Sequence, residues 1–340
     1  MAIELYKHNK KAYSNVLEHF ETTNRTCVVH ATGTVKSFIS LKWLEDNKDR
    51  RCLFLAPTNA IIDQFKTHIE DNGLSLSDFP NLEFELYTNV NNRIADNKYD
   101  CIVMDEFHRC GAKEWSKGIN KLLDNNEDAK VLGLSATPIR YLDDNRNMAD
   151  EIFNGNIASE ISIAEAIAMG ILQAPTYITS IYSFDNEIDK IQNQIDKYKN
   201  KEEKKELQKK LDEAKNMLEK SRGLSEVFEK YIKNDKGKYI VFCKDKPHME
   251  LMEEKSNEWF KNINKIKVND VYYEKGRELN KYEIDSFENN ERDELKLLFA
   301  IEMLNEGVHV KSIDGVIMFR PTVSPIIYFQ QLGRALSVGH

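Results

Sequence analysis

Two rhythms of apolar and polar positions alternate along the chain. Short, nearly continuous apolar runs recur at Cys27-Val28-Val29, Arg51 to Leu55, Phe84 to Tyr87, Tyr99 to Met104 and Lys130 to Leu134. Between them, apolar residues fall three and four apart. Ala12, Val16, Leu17 and Phe20 do so within 10–22, and Ile61, Ile62, Phe65 and Ile69 do so later. The first rhythm predicts strands and the second helices. Strands that are apolar throughout and alternate with helices predict a parallel sheet covered on both faces. Polar residues cluster just after several of these strands, where open α/β sheets place their ligands.

Further on, Ile163 to Ala168 predicts a short helix ended by Gly170. Gln173-Ala174-Pro175 then leads into a strand, Thr176 to Thr179, and the domain boundary falls here, between 1–174 and 175–340. Residues 185–222 change character. Ile188, Ile191, Ile195 and Tyr198 keep helical spacing, then Leu207, Leu211, Ala214 and Leu218 keep it again, with Lys and Glu between. One long helix or an antiparallel helical hairpin is expected, a solvated decoration early in the second domain. Strands resume at Tyr239 to Cys243, Val268 to Tyr273, Leu295 to Phe299 and Val316 to Phe319.

Candidate chemistry begins at His30-Ala31-Thr32-Gly33-Thr34-Val35-Lys36-Ser37. It follows an apolar strand and precedes Phe38, Ile39 and Leu41, the buried face of a helix. A strand, a tight loop ending in Lys-Ser and a helix make the layout of a phosphate-binding P-loop. Its backbone N–H groups and helix N-terminus face the phosphates, Lys36 reaches the β/γ-phosphates, and Ser37 can hold Mg²⁺. Glycines are usual where His30 and Val35 stand, so the stretch alone also fits an ordinary strand-to-helix turn with an exposed Lys. Asp105 and Glu106 end a later apolar strand. An NTPase needs one carboxylate for the Mg²⁺ shell and another to orient and deprotonate water. Asp105 fits the first role and Glu106 the second; two adjacent acids can also merely cap a loop.

Composition narrows the class. The 340 residues are enough for two domains, with 41% hydrophobic residues for cores and 31% charged residues for solvated surfaces. A net charge of −8 argues against whole-surface attraction to nucleic acid, but not against a local groove. Five cysteines with no C-x-x-C pair suggest a reduced, cytoplasmic protein without a cysteine metal site. No window is apolar enough to span a membrane, and Met1 to Leu5 does not open a signal peptide.

Taken together in order, these motifs resemble the superfamily 2 helicases, DExH-type motor proteins with two RecA-like P-loop NTPase domains. Within that class the chain is similar to bacterial restriction-enzyme motor subunits, the type III restriction subunit among them. The resemblance covers nearly the whole chain. Asn9 stands at the adenine-reading motif, where its amide offers a donor–acceptor pair. Thr32, Gly33, Thr34, Val35, Lys36 and Ser37 form motif I. Pro57 and Thr58 match one strand-contacting motif and Thr88 another. Asp105-Glu106-Phe107-His108 is motif II and Ser135-Ala136-Thr137 motif III. Val241 to Lys244 resembles motif IV, Asn305 to His309 with Gly307 motif V, and Gln330 to Arg334 motif VI.

The resemblance implies ATP and Mg²⁺ as cofactors and nucleic acid as partner, DNA ahead of RNA. It makes Arg334 an arginine finger on the γ-phosphate and has His108 and Gln330 bridge the two domains. Ser135 and Thr137 relay between Asp105-Glu106 and the nucleic-acid groove. Pro57, Thr58, Thr88 and Thr322 line that groove, positioning a strand without reading its sequence. A lone Thr or Ser at such positions would otherwise be read as a turn or helix cap. Three departures stand out: Val35 for a Gly, Ser337 for a second motif VI arginine, and His309 for an acidic residue. Further domains or subunits are expected beyond His340. The expected activity is an ATP-dependent helicase or translocase. The rivals are a nucleic-acid-binding module with impaired ATP turnover and a motor fragment of a larger restriction or defence protein.

Overall fold

The structure is a computed structural model that describes residues 3–140, 145–174, 176, 185–198, 201–220, 224–232, 235–260, 262–263, 265–288, 294–301, 310 and 313–319. Two compact units emerge, one built on the chain up to Pro175 and the other on Thr176–Ile301 with Ile317–Phe319. Among the described residues, no helix is long and apolar enough to cross a membrane.

In the first unit the strands are β1 (Arg25–His30), β2 (Cys52–Ala56), β3 (Leu82–Leu86), β4 (Cys101–Asp105), β5 (Lys130–Ser135), β6 (Ile139–Arg140), β7 (Arg146–Asn147) and β8 (Ile157–Ile161). Six form one sheet in the order β3-β2-β4-β5-β1-β8, and every pairing in it is parallel. β6 and β7 make a small antiparallel pair. The helices are α1 (Lys7–Thr22), α2 (Ser37–Asp46), α3 (Asn59–Asp71), α4 (Val90–Arg93), α5 (Lys113–Asn125), α6 (Met148–Phe153) and α7 (Ile163–Ala168).

The apolar runs fill both faces, as a parallel sheet requires. Alternate strand residues point to opposite sides. Val28, Phe54, Val103 and Leu132 join one core with Val16, Leu44 and Phe65 from α1, α2 and α3. Cys27, Leu53, Ile102 and Val131 join the other with Ile119 and Ile152 from α5 and α6. A fully buried side chain such as Phe54 contributes on the order of 2–3 kcal/mol.

The second unit carries β9 (Lys238–Phe242), β10 (Ile266–Val271), β11 (Leu295–Ala300) and β12 (Gly315–Met318), in the order β10-β11-β9-β12. β10, β11 and β9 run parallel. Its helices are α8 (Asp185–Asp196), α9 (Lys201–Lys220), α10 (Leu224–Tyr231), α11 (Lys246–Trp259) and α12 (Arg277–Glu288). Asp245 caps α11 by accepting from the His248 N–H, and Pro247 lies in the first turn, where its missing N–H costs nothing.

Among the described residues of the 185–222 segment, α8 and α9 form a hairpin. Gln192 and Gln208 exchange amide hydrogen bonds of 2.8 and 3.1 Å. Lys204 meets Asp196 at 3.1 Å. These pairs step in opposite directions along the chain, so the helices are antiparallel. Ile195 and Leu211 are buried.

Candidate functional site

β1 delivers the phosphate loop. Gly33 has φ 90° and Val35 φ 58°, both in the left-handed region. Gly adopts it freely, but a β-branched residue there is strained. Val35 thus takes the loop shape that glycine usually supplies. The loop is braced from behind by α1. Asn9 Nδ2 donates to the Val35 carbonyl at 3.0 Å and to that of Thr34 at 3.3 Å. His8 Nε2 lies 2.9 Å from the same Thr34 oxygen. Thr34 Oγ1 donates to the Ala31 carbonyl at 2.8 Å, closing the turn.

Two positions beside the loop differ from their expected surroundings. Asn9 was expected to offer its amide to a base. It is instead fully buried, its donor serves the loop, and its Oδ1 has no hydrogen-bond partner. His30, at the usual first Gly, is also fully buried, and its Nε2 meets Ser159 Oγ of β8 at 2.8 Å. Burial, with smaller pushes from His8 and Lys36, brings its pKa down to about 3. It is therefore a neutral strut between β1 and β8.

β4 delivers the acids. Tyr87 donates its hydroxyl to the Asp105 carbonyl at 2.8 Å and fixes the strand end. Glu106 turns out of the strand with φ 50°, and its N–H donates to Asp105 Oδ1 at 3.0 Å. Lys36 Nζ lies 3.1 Å from Glu106 Oε1. Glu106 Oε2 lies 3.3 Å from His108 Nδ1, and that nitrogen lies 2.8 Å from Ser135 Oγ. Ser135 Oγ donates to the Thr137 carbonyl at 2.6 Å. One run of polar contacts therefore links the ends of β1, β4 and β5.

The two acids titrate in opposite directions. Burial, then the charge of Glu106, pushes Asp105 up to about 7, against Lys36 and its backbone hydrogen bond. Burial also penalises charged Glu106, but Lys36 and then His108 outweigh it and hold this carboxyl well below its usual range. Neighbouring acids are thus driven apart by burial and by the cation beside one of them.

Of the other expected residues, Pro57 is buried and Thr58 half-buried at the end of β2, while Thr88 is exposed beyond β3. Thr58 Oγ1 is buried without a hydrogen-bond partner. Gly307, Thr322, Gln330 and Arg334 lie outside the described residues, as do His309 and Ser337. Tyr87, His8 and Ser159 serve the site without having been foreseen. No local motif flagged them, because their partners lie far away in sequence.

The model for the type III restriction enzyme res subunit matches residues 2–84 and 76–140. The model for the helicase conserved C-terminal domain matches residues 219–339. The chain is a superfamily 2 helicase module, close to the restriction-type enzymes. Solved structures repeat its α/β fold. The ATP-dependent Type ISP restriction-modification enzyme LlaBIII bound to DNA matches 99% of this chain at 18% identity and a TM-score of 0.64. The fragment of a putative HsdR subunit of a type I restriction enzyme from Vibrio vulnificus YJ016 matches 97% at 20% identity, also at 0.64. The Hef helicase domain from Pyrococcus furiosus matches 96% at 15% identity and 0.54, over 92% of its own chain. This module spans 27% of the LlaBIII chain and 60% of the HsdR fragment. No curated protein matches its sequence.

Proposed function

We propose that this module is an ATP-dependent motor on nucleic acid, DNA ahead of RNA. The observation that carries the reading is the run of contacts from Lys36 through Glu106 and His108 to Ser135. A cation for phosphate, a strongly acidic carboxylate and a hydroxyl relay meet at three strand ends, where an α/β sheet works. In this reading Glu106 orients and deprotonates the attacking water, and Lys36 holds the β/γ-phosphates. Thr32, Gly33, Thr34 and Val35 wrap the phosphates. Arg334, Gln330 and Gly307 complete the site as the family pattern implies. Pro57, Thr58, Thr88 and Thr322 position the strand, and the DNA-bound LlaBIII structure supports a DNA track.

The oxygen donors fit Mg²⁺. Asp105 is a buried carboxylate whose pKa burial and then the charge of Glu106 push up, and Ser37 opens α2 with a hydroxyl. Among the described residues no group of three or more His, Cys, Asp or Glu could hold a metal alone. Two protein oxygens completed by phosphates and waters suit Mg²⁺. Bound there, the ion would neutralise charge on the transferred phosphoryl group. We place 1–174 and 175–340 in the two RecA-like domains, the whole in the cytoplasm, with further domains or subunits completing a restriction or defence protein.

The strained Val35 favours a second reading, in which the module binds nucleic acid but turns ATP over poorly. Phosphate release with and without single-stranded DNA, duplex DNA and single-stranded RNA tests both. DNA-stimulated hydrolysis that Lys36→Ala abolishes is the expected result. Nucleic-acid binding without hydrolysis supports the second reading, and neither binding nor hydrolysis overturns both.

A further inference from the structure

Cys52 and Cys101 open β2 and β4 and stand directly opposite one another in the sheet register. Both side chains enter the same core, at 2% and 0% exposure. Neighbouring strands run about 4.8 Å apart, within the range of Cα separations of about 4.4–6.8 Å that a disulfide bridges. The Cys52 thiol donates to the Asn47 carbonyl at 3.5 Å. Backbone bonds from the Asp100 and Cys101 N–H groups to the Arg51 carbonyl hold the two strand starts together.

The two sulfurs are not equivalent. Interaction with the neighbouring Cys52 thiol, then the charge of Arg50, outweighs burial and lowers the pKa of Cys101, while that of Cys52 is raised. A nucleophile and a resolving thiol are thereby distinguished. Cys27, Cys110 and Cys243 have no such partner, and burial pushes each up to about 12. Access is short, since Arg50, Arg51 and Asp100 beside the pair are exposed. Opening one residue at a strand start is a small, local fluctuation.

We propose that Cys52 and Cys101 form a cross-strand disulfide when the chain meets a peroxide. The Cys101 thiolate attacks one peroxide oxygen, breaking the O–O bond and giving a sulfenic acid and hydroxide. The Cys52 sulfur then attacks the sulfenic sulfur, forming the S–S bond and releasing water. Two thiols and one hydrogen peroxide become one disulfide and two waters. The bond closes a long loop of chain and so raises resistance to unfolding.

The test treats the full chain with hydrogen peroxide, alkylates remaining thiols after denaturation, and maps peptides without reduction. A Cys52–Cys101 cross-linked peptide is expected, reversed by dithiothreitol, with a Tm several degrees higher while the bond is present. In Cys52→Ser, which keeps a polar group beside Cys101, the cross-link is lost and dimedone captures a sulfenic acid at Cys101. Recovery of both as alkylated thiols from the unaltered chain, at doses that oxidise its methionines, overturns the proposal. So does a bond to any of the other three cysteines.

Discussion

Lys36 and Glu106 pair at 3.1 Å, each side chain less than one-fifth exposed, at 13% and 16%. The phosphate-facing cation and the proposed base therefore compete for one another as well as for nucleotide. Glu106→Gln keeps the shape, removes the negative charge and leaves Lys36 to the phosphates. ATP affinity should hold or rise, while hydrolysis falls ~10²-fold or more, the scale of general-base catalysis. Calorimetry and steady-state phosphate release, run on the same preparation, separate the two effects. Unchanged turnover rules Glu106 out as the base.

Val35 sits at φ 58° beside that lysine. Left-handed backbone at a β-branched residue costs on the order of 1–3 kcal/mol, and its methyl groups face crowding where phosphate must come close. Val35→Gly should tighten ATP binding by about tenfold or more, since ~1.4 kcal/mol is a factor of ten. It should also raise turnover. Titration of both forms with ATP and Mg²⁺ is the measurement, and equal, tight binding would show the valine to be harmless.

Gly133 lies in β5 beneath motif II, where a Cβ would run into the Phe153 ring and stand 2.9 Å from Phe107. Overpacking of this kind typically costs about 1–3 kcal/mol. Phe107 follows Glu106, so the displacement reaches the acids as well as the core. Gly133→Ala should lower the denaturation midpoint and reduce hydrolysis together. A midpoint within error of the parent would mean that the two rings repack freely.

Glu253 of α11 supplies a pH signature in the second unit. Burial, then Asp270, with Glu250 and Glu283, pushes its carboxyl up to about 7 against Lys275. Its Oε1 has no hydrogen-bond partner. The unfolded carboxyl titrates near ~4.3, so between there and about 7 the folded chain holds a proton that the unfolded chain releases. The stability this group contributes is full at low pH and is lost as pH rises through 7. Glu253→Gln should therefore melt higher than the parent at pH 8, with the difference vanishing toward pH 4.5. Discounted for partial exposure, the gain is about 1 kcal/mol. A difference independent of pH would assign the effect to packing.

The sheet of the first unit was legible because β2, β4 and β5 are almost wholly apolar and each ends in a polar cluster. Lys36, Asp105, Glu106, His108 and Ser135 stood out for the same reason, lying in the polar stretches that follow or end β1, β4 and β5, and the structure brings their side chains together. β8 was not, since its partly exposed Ser159 and Glu160 interrupt the pattern of an edge strand. The role of Asn9 was also hidden. Its type suggests base recognition, whereas its 0% exposure and its bonds to Thr34 and Val35 make it part of the loop's scaffold. The segment at 185–222 gave helical spacing but not its fold, because a hairpin and a single helix share one periodicity until a cross-pair such as Gln192 and Gln208 decides.

The strand order has a consequence for how the chain is made. β1 takes its neighbours from β5 and β8, pairing Arg25 with Val131 and His30 with Ile161. Synthesis at about 5–20 residues per second leaves β1 without either neighbour for several seconds after it emerges. Its apolar residues must wait, or be shielded on one face by α1, α2 and α3, until β5 and then β8 have been made. Local pairing cannot shorten the delay, because every contact β1 makes in the sheet is long-range. The strand that carries the phosphate loop is therefore made well before the two strands that flank it in the sheet.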